Sequence, residues 1–200
     1  MAHNSDKGHD SEIIRRVIDG EVDAFGHLVM KYGDYVMGIV KNHLPYSEVE
    51  ETAQEVFLKA YQSLPSLKDG ARFRPWLASI AVRTCYDYWR AQYRSREVPL
   101  SALTEKHREW LETVMTDNSA DAFRSQGLRT EARELLDWAL EKLSPEERIV
   151  LELVYLEERS VKEAAQLLGW SSANVKVRSY RARKKLHRVL STVAARGGRA

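Results

Sequence analysis

Residues 160–186 read SVKEAAQLLGWSSANVKVRSYRARKKL and change abruptly from a mixed, partly acidic composition to a strongly basic one. Ser160 and Glu163 have the S-x-x-E spacing in which each side chain can bond the other's free backbone N–H, so a helix is predicted to start there. The Gly-Trp-Ser-Ser interruption supplies a glycine tolerant of positive φ where that helix must end, and serines that can cap a second one. The stretch therefore predicts two helices joined by a tight turn.

The second predicted helix separates apolar from basic residues. At helical spacing its apolar side chains share one stripe, which we expect to face the core: Val175, Ala182, Leu186 and Val189. The opposite side carries Val177, Tyr180, Arg181 and Lys184, flanked by further cations such as Lys176 and Arg178. This combination is typical of a DNA-binding helix-turn-helix. The alternative is a surface helix whose cations only keep the protein soluble, but the coincidence of turn, caps and polarity favours DNA.

The distribution of charge supports a polyanionic partner more strongly than the net charge does. The 200-residue chain has 44% hydrophobic residues, enough for one or two domains, and a formal net charge of only +2. Residues 1–96 hold 13 basic and 13 acidic side chains, residues 97–163 hold 9 and 16, and residues 164–200 hold 9 and none. The C-terminal segment can therefore attract phosphate locally.

Several function classes are disfavoured by what the sequence lacks. Cys85 is the only cysteine, which excludes an intramolecular disulfide or a multi-cysteine zinc site and fits a reducing cytoplasm. The polar start does not read as a secretory signal, and no run approaches the roughly 18 apolar residues of a membrane span, so no membrane insertion is expected. The six histidines are scattered, and no nucleotide-binding glycine loop or hydrolase motif is present. We therefore expect no metal, no cofactor and no catalysis.

Helical periodicity runs through most of the chain, so the fold is predicted to be all-α, with two small helical domains joined by a flexible linker. Two capping boxes are expected outside the opening stretch, at Ser47 with Glu50 and at Ser144 with Glu147. The predicted helices cover residues 13–20, 24–44, 47–64, 73–94, 128–143 and 145–155. The predicted organisation is a disordered tail (1–10), a first domain (11–96), a linker (97–127), a second domain with the helix-turn-helix (128–192) and a basic tail (193–200).

The helix predicted from Phe73 or Arg74 mixes arginines with aromatic residues. Arginines neutralise phosphates and aromatic faces stack on unpaired bases, so such a helix can hold single-stranded DNA. Trp76 shares the buried stripe of this helix and is interpreted as a core residue. Tyr86 and Trp89 lie off the stripe and are the better candidates for bases, although a helix that simply packs its aromatic residues remains an equal alternative.

Glu51, Gln54 and Glu55 lie on the polar side of the preceding helix, outside the apolar stripe. The residues alone indicate only a solvated face.

Taken together, these segments resemble a bacterial RNA polymerase sigma factor of the extracytoplasmic-function group. The resemblance is carried by two blocks in the same order and spacing as in that family, with the weak segment where the family has its interdomain linker. The first block comprises DAFGHLVMKYGDYVMGIV (23–40), EETAQEVFLKAYQSL (50–64) and FRPWLASIAVRTCYDYWR (73–90), and the second is LSPEERIVLELVYLEERSVKEAAQLLGWSSANVKVRSYRARKKL (143–186).

The resemblance implies a division of labour between the two domains. The polar face of the helix at 49–61 would bind core RNA polymerase through Glu51, Gln54 and Glu55. The next helix would recognise and help to open the −10 promoter element through Arg74, Arg83, Tyr86, Trp89 and Arg90. The second domain would read the −35 element in the major groove through Ser172, Lys176, Val177, Arg178, Tyr180, Arg181 and Lys184. An anti-sigma factor is a further expected partner, because the family often uses one.

Three positions depart from the family pattern. Arg83 stands where the family commonly has Asn, which leaves the preferred −10 base open. Val177 and Ser179 stand where the family often has Ser and an apolar residue, respectively. Val177 can contact a thymine methyl group, and Ser179 weakens the buried stripe.

A second hypothesis is an autonomous helix-turn-helix regulator whose first half binds a ligand or dimerises. Such a protein would bind duplex DNA tightly without polymerase, usually through two symmetric half-sites. The predicted function is nonetheless a non-catalytic subunit that gives RNA polymerase its promoter specificity.

Overall fold

A computed structural model describes residues 3–95 and 135–197, with side chains from Gly8 to Ser95 and from Leu135 to Ser191. Within these ranges the regular structure is helical and contains no strand, which confirms the predicted all-α fold. The predicted linker (97–127) lies outside the described residues. The chain divides into two units, residues 1–91 with 160–172, and residues 92–159 with 173–200.

The first unit consists of helices from two separate segments of the sequence. The helices are α1 (His3–Ile18), α2 (Phe25–His43), α3 (Val49–Ser63) and α4 (Phe73–Ser95), and, after the gap, α7 (Val161–Leu168). Short 3-10 turns precede α2, α3 and α4, at Val22–Ala24, Tyr46–Glu48 and Gly70–Arg72. The second unit contains α5 (135–141), α6 (Pro145–Leu151), a π-helical turn (Glu152–Leu156) and α8 (Ser172–Gly197).

The core of the first unit forms from the apolar stripes of α1 to α4. Its fully buried side chains include Leu28, Val36, Val40, Val56, Phe73 and Leu77. The stripe predicted on α4 is confirmed, since Leu77 and Ala81 are buried and Trp76 packs partly buried against the cluster. Burying such large apolar side chains contributes about 1.5–3 kcal/mol each. The lone Cys85 is also buried in this core.

The N-terminus differs from the prediction. The expected disordered tail (1–10) is wrong from His3 onward, because α1 begins there. Asp10 is buried, accepts a 2.5 Å hydrogen bond from the Tyr32 hydroxyl and pairs with Lys31 at 2.7 Å. These partners lie more than 20 positions away in sequence. The residues near Asp10 therefore gave no indication that this segment packs against α2.

The start of α3 is a second correction. The predicted capping box at Ser47 does not form, because residues Tyr46–Glu48 make a 3-10 turn and the helix begins at Val49 without a side-chain cap. Ser47 Oγ instead donates to the Glu48 carboxylate at 3.1 Å. The neighbouring Val49 is buried, and its packing sets the helix start in place of the cap.

The capping box predicted at Ser144 is confirmed. The Ser144 hydroxyl accepts from the Glu147 N–H at 3.3 Å, and the Glu147 carboxylate accepts from the Ser144 N–H at 2.9 Å and pairs with Lys185 of α8 at 3.0 Å. Burial raises the pKa of Glu147, but the bonds from Ser144 and Lys185 outweigh it and leave the pKa below its ordinary value of 4.5. The pair therefore ties the start of α6 to α8.

A buried ion pair lies in the same unit. The Nε atom of Arg148 donates to Glu152 at 2.8 Å across one turn of helix, and the two side chains are only 9% and 3% exposed. Around α6 and α8, Leu140, Leu143, Leu151 and Ala182 form the apolar cluster of this unit. The pair thus holds the last turn of α6 at the point where the π-helical turn begins.

Both local signals predicted for α7 are confirmed. Ser160 and Glu163 form the capping box, and Gly169 ends the helix with φ +70° in the left-handed region, which an L side chain disfavours. Along the chain, only Gly169, Trp170 and Ser171 separate α7 from α8. The helix, tight turn and second helix predicted from the sequence are therefore present.

Candidate nucleic-acid interface

Helix α8 presents a basic face with two exposed apolar side chains. Val177 is 49% exposed and Tyr180 is 58% exposed. The other outward positions are also exposed: Ser172, Lys176, Arg181 and Lys184. Arg178 is half-buried, and its Nε atom donates to Asn174 Oδ1 at 2.8 Å. The structure therefore places six of the seven predicted −35 residues at the surface and fixes the seventh beside Asn174.

The rotation of α8 about its axis is fixed by its buried side. Val175 and Ala182 are completely buried, as the stripe predicted, and Leu186 is half-buried. Ser179 is buried as well, and its hydroxyl donates to the Tyr155 hydroxyl at 3.3 Å. Ser179, the polar residue in the buried stripe, therefore has a hydrogen-bonding partner in Tyr155. The sequence pattern did not predict this contact.

Cations on the outward face of α8 are available to an anion. Among the residues that the structure describes, no ion pair involves Lys176, Arg181 or Lys184. Lys185, on another side of the helix, is used internally by Glu147. Exposed lysines and arginines on one helix face, with no carboxylate among them, can neutralise phosphates and reach base edges.

Three predicted arginines line α4, and two of them are oriented by neighbours. Arg74 is exposed, and its guanidinium lies over the ring of Tyr35 at 4.4 Å from the centroid. Arg83 is exposed but bonded to Ser79 of the preceding turn. Arg90 is exposed. The contact with Tyr35 crosses from α4 to α2, so no local spacing predicts it.

The two aromatic candidates on α4 are half-buried. Trp89 packs against the core cluster, meets Tyr88 edge to face at 5.2 Å and donates its indole N–H to the His43 carbonyl at 2.9 Å. It therefore joins α4 to the C-terminal end of α2. Only the exposed part of the Trp89 ring is therefore available to a base. The sequence pattern predicted that Trp89 lies outside the buried stripe, but it did not predict this packing against the core.

Helix α3 carries the candidate polymerase-binding residues on its solvent side. Glu51, Gln54 and Glu55 are all exposed, as predicted. Glu55 pairs with Lys59 at 2.8 Å, and Lys59 also donates to Thr84 of α4 at 3.3 Å. The three candidates form a polar surface in the first two turns of α3, opposite the buried side of the helix.

The described residues contain no cluster of His, Cys, Asp and Glu able to hold a metal ion. Nor do they include a helix both long and apolar enough to cross a bilayer.

Comparison with protein families identifies both halves of the chain. The profile described as Sigma-70 region 2 matches residues 28–95, and the profile described as Sigma-70, region 4 matches residues 133–186. The first match includes most of α2 and all of α3 and α4, with the exposed faces described above. The second includes α5, α6, α7 and most of α8.

Relatives of similar length match along most of the chain. The ECF RNA polymerase sigma-E factor of Escherichia coli strain K12 is 29% identical over 177 residues, which cover 88% of this chain and 92% of that protein. The RNA polymerase sigma-H factor of Pseudomonas aeruginosa is 28% identical over 182 residues, covering 90% and 93%.

A solved structure is similar as well. The structure of CnrH in complex with the cytosolic domain of CnrY has a TM-score of 0.52 and 26% sequence identity, and the match covers 92% of this chain and 97% of that one. Two profiles of one family match in order and together span more than half of the sequence. The chain therefore belongs to the sigma-70 family of bacterial RNA polymerase sigma factors, in its extracytoplasmic-function group.

Proposed function

We propose that this chain gives core RNA polymerase its promoter specificity by binding the enzyme through α3, the −10 element through α4 and the −35 element through α8. The observation that carries the proposal is the presence, in one chain, of both DNA-reading regions of the sigma-70 family, each with exposed cations on its predicted DNA face. The chain itself supplies binding energy and no catalysis.

Helix α8 is proposed to enter the major groove of the −35 element. Lys176, Arg181 and Lys184 supply positive charge, and Arg181 is suited to a base edge because its fork of donors matches paired acceptors. The exposed Val177 offers an apolar surface to a thymine methyl group. The buried Val175 and Ala182 support this orientation, because they hold the opposite face against the core.

Helix α4 is proposed to hold the melted −10 strand. Arg74, Arg83 and Arg90 would neutralise phosphates or contact bases, and Tyr86 would stack on an unpaired base. The half-buried Trp89 would contribute its exposed edge while its indole N–H keeps α4 attached to α2. Stacking by about 1–3 kcal/mol per base helps to offset the free energy of melting.

The exposed side of α3 is proposed to bind the polymerase. Glu51, Gln54 and Glu55 form a polar, partly anionic surface, which suits a partner that must bind and be released. Because Glu55 already pairs with Lys59, the surface contains both signs of charge in a fixed arrangement. A basic patch on the polymerase is its expected complement.

An anti-sigma factor is proposed as a regulatory partner, and the cytoplasm as the place of action. In the similar structure, CnrH is bound to the cytosolic domain of CnrY. A chain of this type can therefore bind a second protein in the cytoplasm. The same exposed faces that bind polymerase and DNA would be covered in such a complex.

The experiment is an electrophoretic mobility shift with promoter DNA, with and without core RNA polymerase. We expect tight binding only when core is present, and Glu55→Lys should weaken association with core while folding is retained. Glu12→Lys is the matched control, since Glu12 is exposed on α1 outside the matched region. If the chain alone binds duplex DNA tightly and core changes nothing, the autonomous regulator considered above would replace this proposal.

A further inference from the structure

Arg83 is held by its own helix in a defined orientation. Its Nε atom donates to the Ser79 carbonyl at 3.0 Å, and its Nη2 atom donates to Ser79 Oγ at 2.8 Å. Ser79 is 7% exposed, and its hydroxyl donates to the Trp76 carbonyl at 2.7 Å. Because the single hydroxyl proton is used on Trp76, Ser79 Oγ meets the guanidinium as an acceptor.

The two bonds to Ser79 occupy one edge of the guanidinium and leave another available. A guanidinium has five N–H groups in a rigid plane, and the edge formed by Nε–H and one Nη2–H is the one bound to Ser79. The end edge, formed by Nη1 and the second N–H of Nη2, is not used by Ser79, and Arg83 as a residue is exposed. Two parallel donors on that edge fit two adjacent acceptors, such as O6 and N7 of guanine.

We infer that Arg83 reads a guanine in the unpaired strand of the −10 element, with Ser79 as the positioning residue that orients its guanidinium. The inference rests on the proposed function, because it assumes that α4 holds the melted strand. It adds a base identity to a position where the family resemblance leaves the preferred base open.

The surroundings favour a base over a phosphate. Asp87 lies one helical turn beyond Arg83 on the same side of α4, and its side chain is 58% exposed. Asp87 pairs with Lys59 of α3 at 3.9 Å, and its negative charge disfavours a fully charged phosphate more strongly than the uncharged acceptor edge of guanine. A phosphate can be bound by any exposed cation on α4, such as Arg90, so it does not require the orientation that Ser79 gives to Arg83.

The test is in vitro transcription by core polymerase with the full chain, on a promoter library randomised over both promoter elements. Sequencing of the transcribed templates gives the base preference at each −10 position. For the wild type we expect a guanine preference at one position. Arg83→Lys, which keeps the charge and loses the planar fork, should reduce that preference by about tenfold and leave the other positions unchanged.

Ser79→Ala separates positioning from direct contact. It removes the hydroxyl acceptor and keeps the backbone carbonyl, so we expect a smaller loss of guanine preference, about threefold, with unchanged affinity for core polymerase. If Ser79 were only structural, the variant would lower transcription from all templates equally. Arg94→Lys is the matched control, because Arg94 is an exposed arginine in the last turn of α4 outside the proposed site.

Three results would overturn the inference. The wild type could select no guanine in the −10 element, Arg83→Lys could leave the profile unchanged, or Arg83→Gln could lower transcription equally on all templates, as a phosphate contact would. Failure of the wild type to start transcription on any template would instead count against the proposed function. The two failures are therefore distinguishable.

Discussion

Replacing Glu152 tests how the buried ion pair supports the DNA-reading half of the protein. Its partner Arg148 lies one turn away, the Nε-to-carboxylate distance is 2.8 Å, and the side chains are 9% and 3% exposed. Solvent screening is therefore slight, and the range of 0–1 kcal/mol measured for exposed pairs does not apply. Glu152→Gln removes the negative charge that faces the buried guanidinium at 2.8 Å, so we expect a loss of about 3–5 kcal/mol in the free energy of unfolding.

A double variant gives the matched control. Arg148→Met with Glu152→Leu removes both charges and replaces them with apolar side chains of similar size. Because the desolvation of both charges is then avoided, we expect the double variant to lie within about 1 kcal/mol of the wild type or to be more stable. The two substitutions should therefore be strongly non-additive.

Native-state hydrogen exchange is the appropriate assay, because it reports the unfolding of residues 145–156 separately from the first unit. Protection in that segment should fall for Glu152→Gln and recover in the double variant. A loss below about 1 kcal/mol for Glu152→Gln, or a double variant as unstable as the two single changes combined, would contradict this expectation.

Other predictions concern individual contacts. The pKa of Glu147 is lowered in the folded state, so its stabilising contribution is present above pH 4.5 and is lost as the pH falls through the folded-state pKa. Glu147→Gln should therefore flatten acid unfolding below pH 4.5, measured by circular dichroism; an unchanged acid transition would contradict this. Gly70→Ala should lower stability by about 1–3 kcal/mol in urea unfolding, since its Cβ would lie 2.8 Å from Ser11 Cα, whereas Gly26→Ala has open space and should be neutral or stabilising. Equal effects of the two glycine changes would refute that reasoning. Arg181→Ala should weaken binding to the −35 element by about 1–3 kcal/mol and relax base preference there in competition assays; an equal loss for all sequences would make it a phosphate contact.

Structure that depends on neighbours in sequence was predictable. A capping box requires partners three positions apart, so the boxes at Ser144–Glu147 and Ser160–Glu163 could be predicted from the sequence. The glycine at the end of α7 could be predicted in the same way. The exposed face of α8 followed from helical spacing in the same way. These signals sufficed for the fold class and for most surface positions of the candidate site.

Structure that depends on distant partners was not predictable. The serine at Ser47 has the same spacing as a true cap, but the packing of Val49 placed the helix start elsewhere. Asp10 is ordered by α2, and Trp89 is fixed by a carbonyl 46 positions earlier. No pattern within one helix contains such distant partners. The ordered N-terminus and the hydrogen bond that holds Trp89 could therefore be seen only in the three-dimensional structure.

The most direct test of the central claim is runoff transcription with purified core polymerase on a library of promoter sequences, with and without this chain. We expect that addition of the chain makes core enzyme initiate at templates sharing one −35 and one −10 sequence, and that Arg181→Ala and Arg83→Lys each change the preference at a different element. Initiation that does not depend on the chain, or that shows no sequence shared among the transcribed templates, would contradict it.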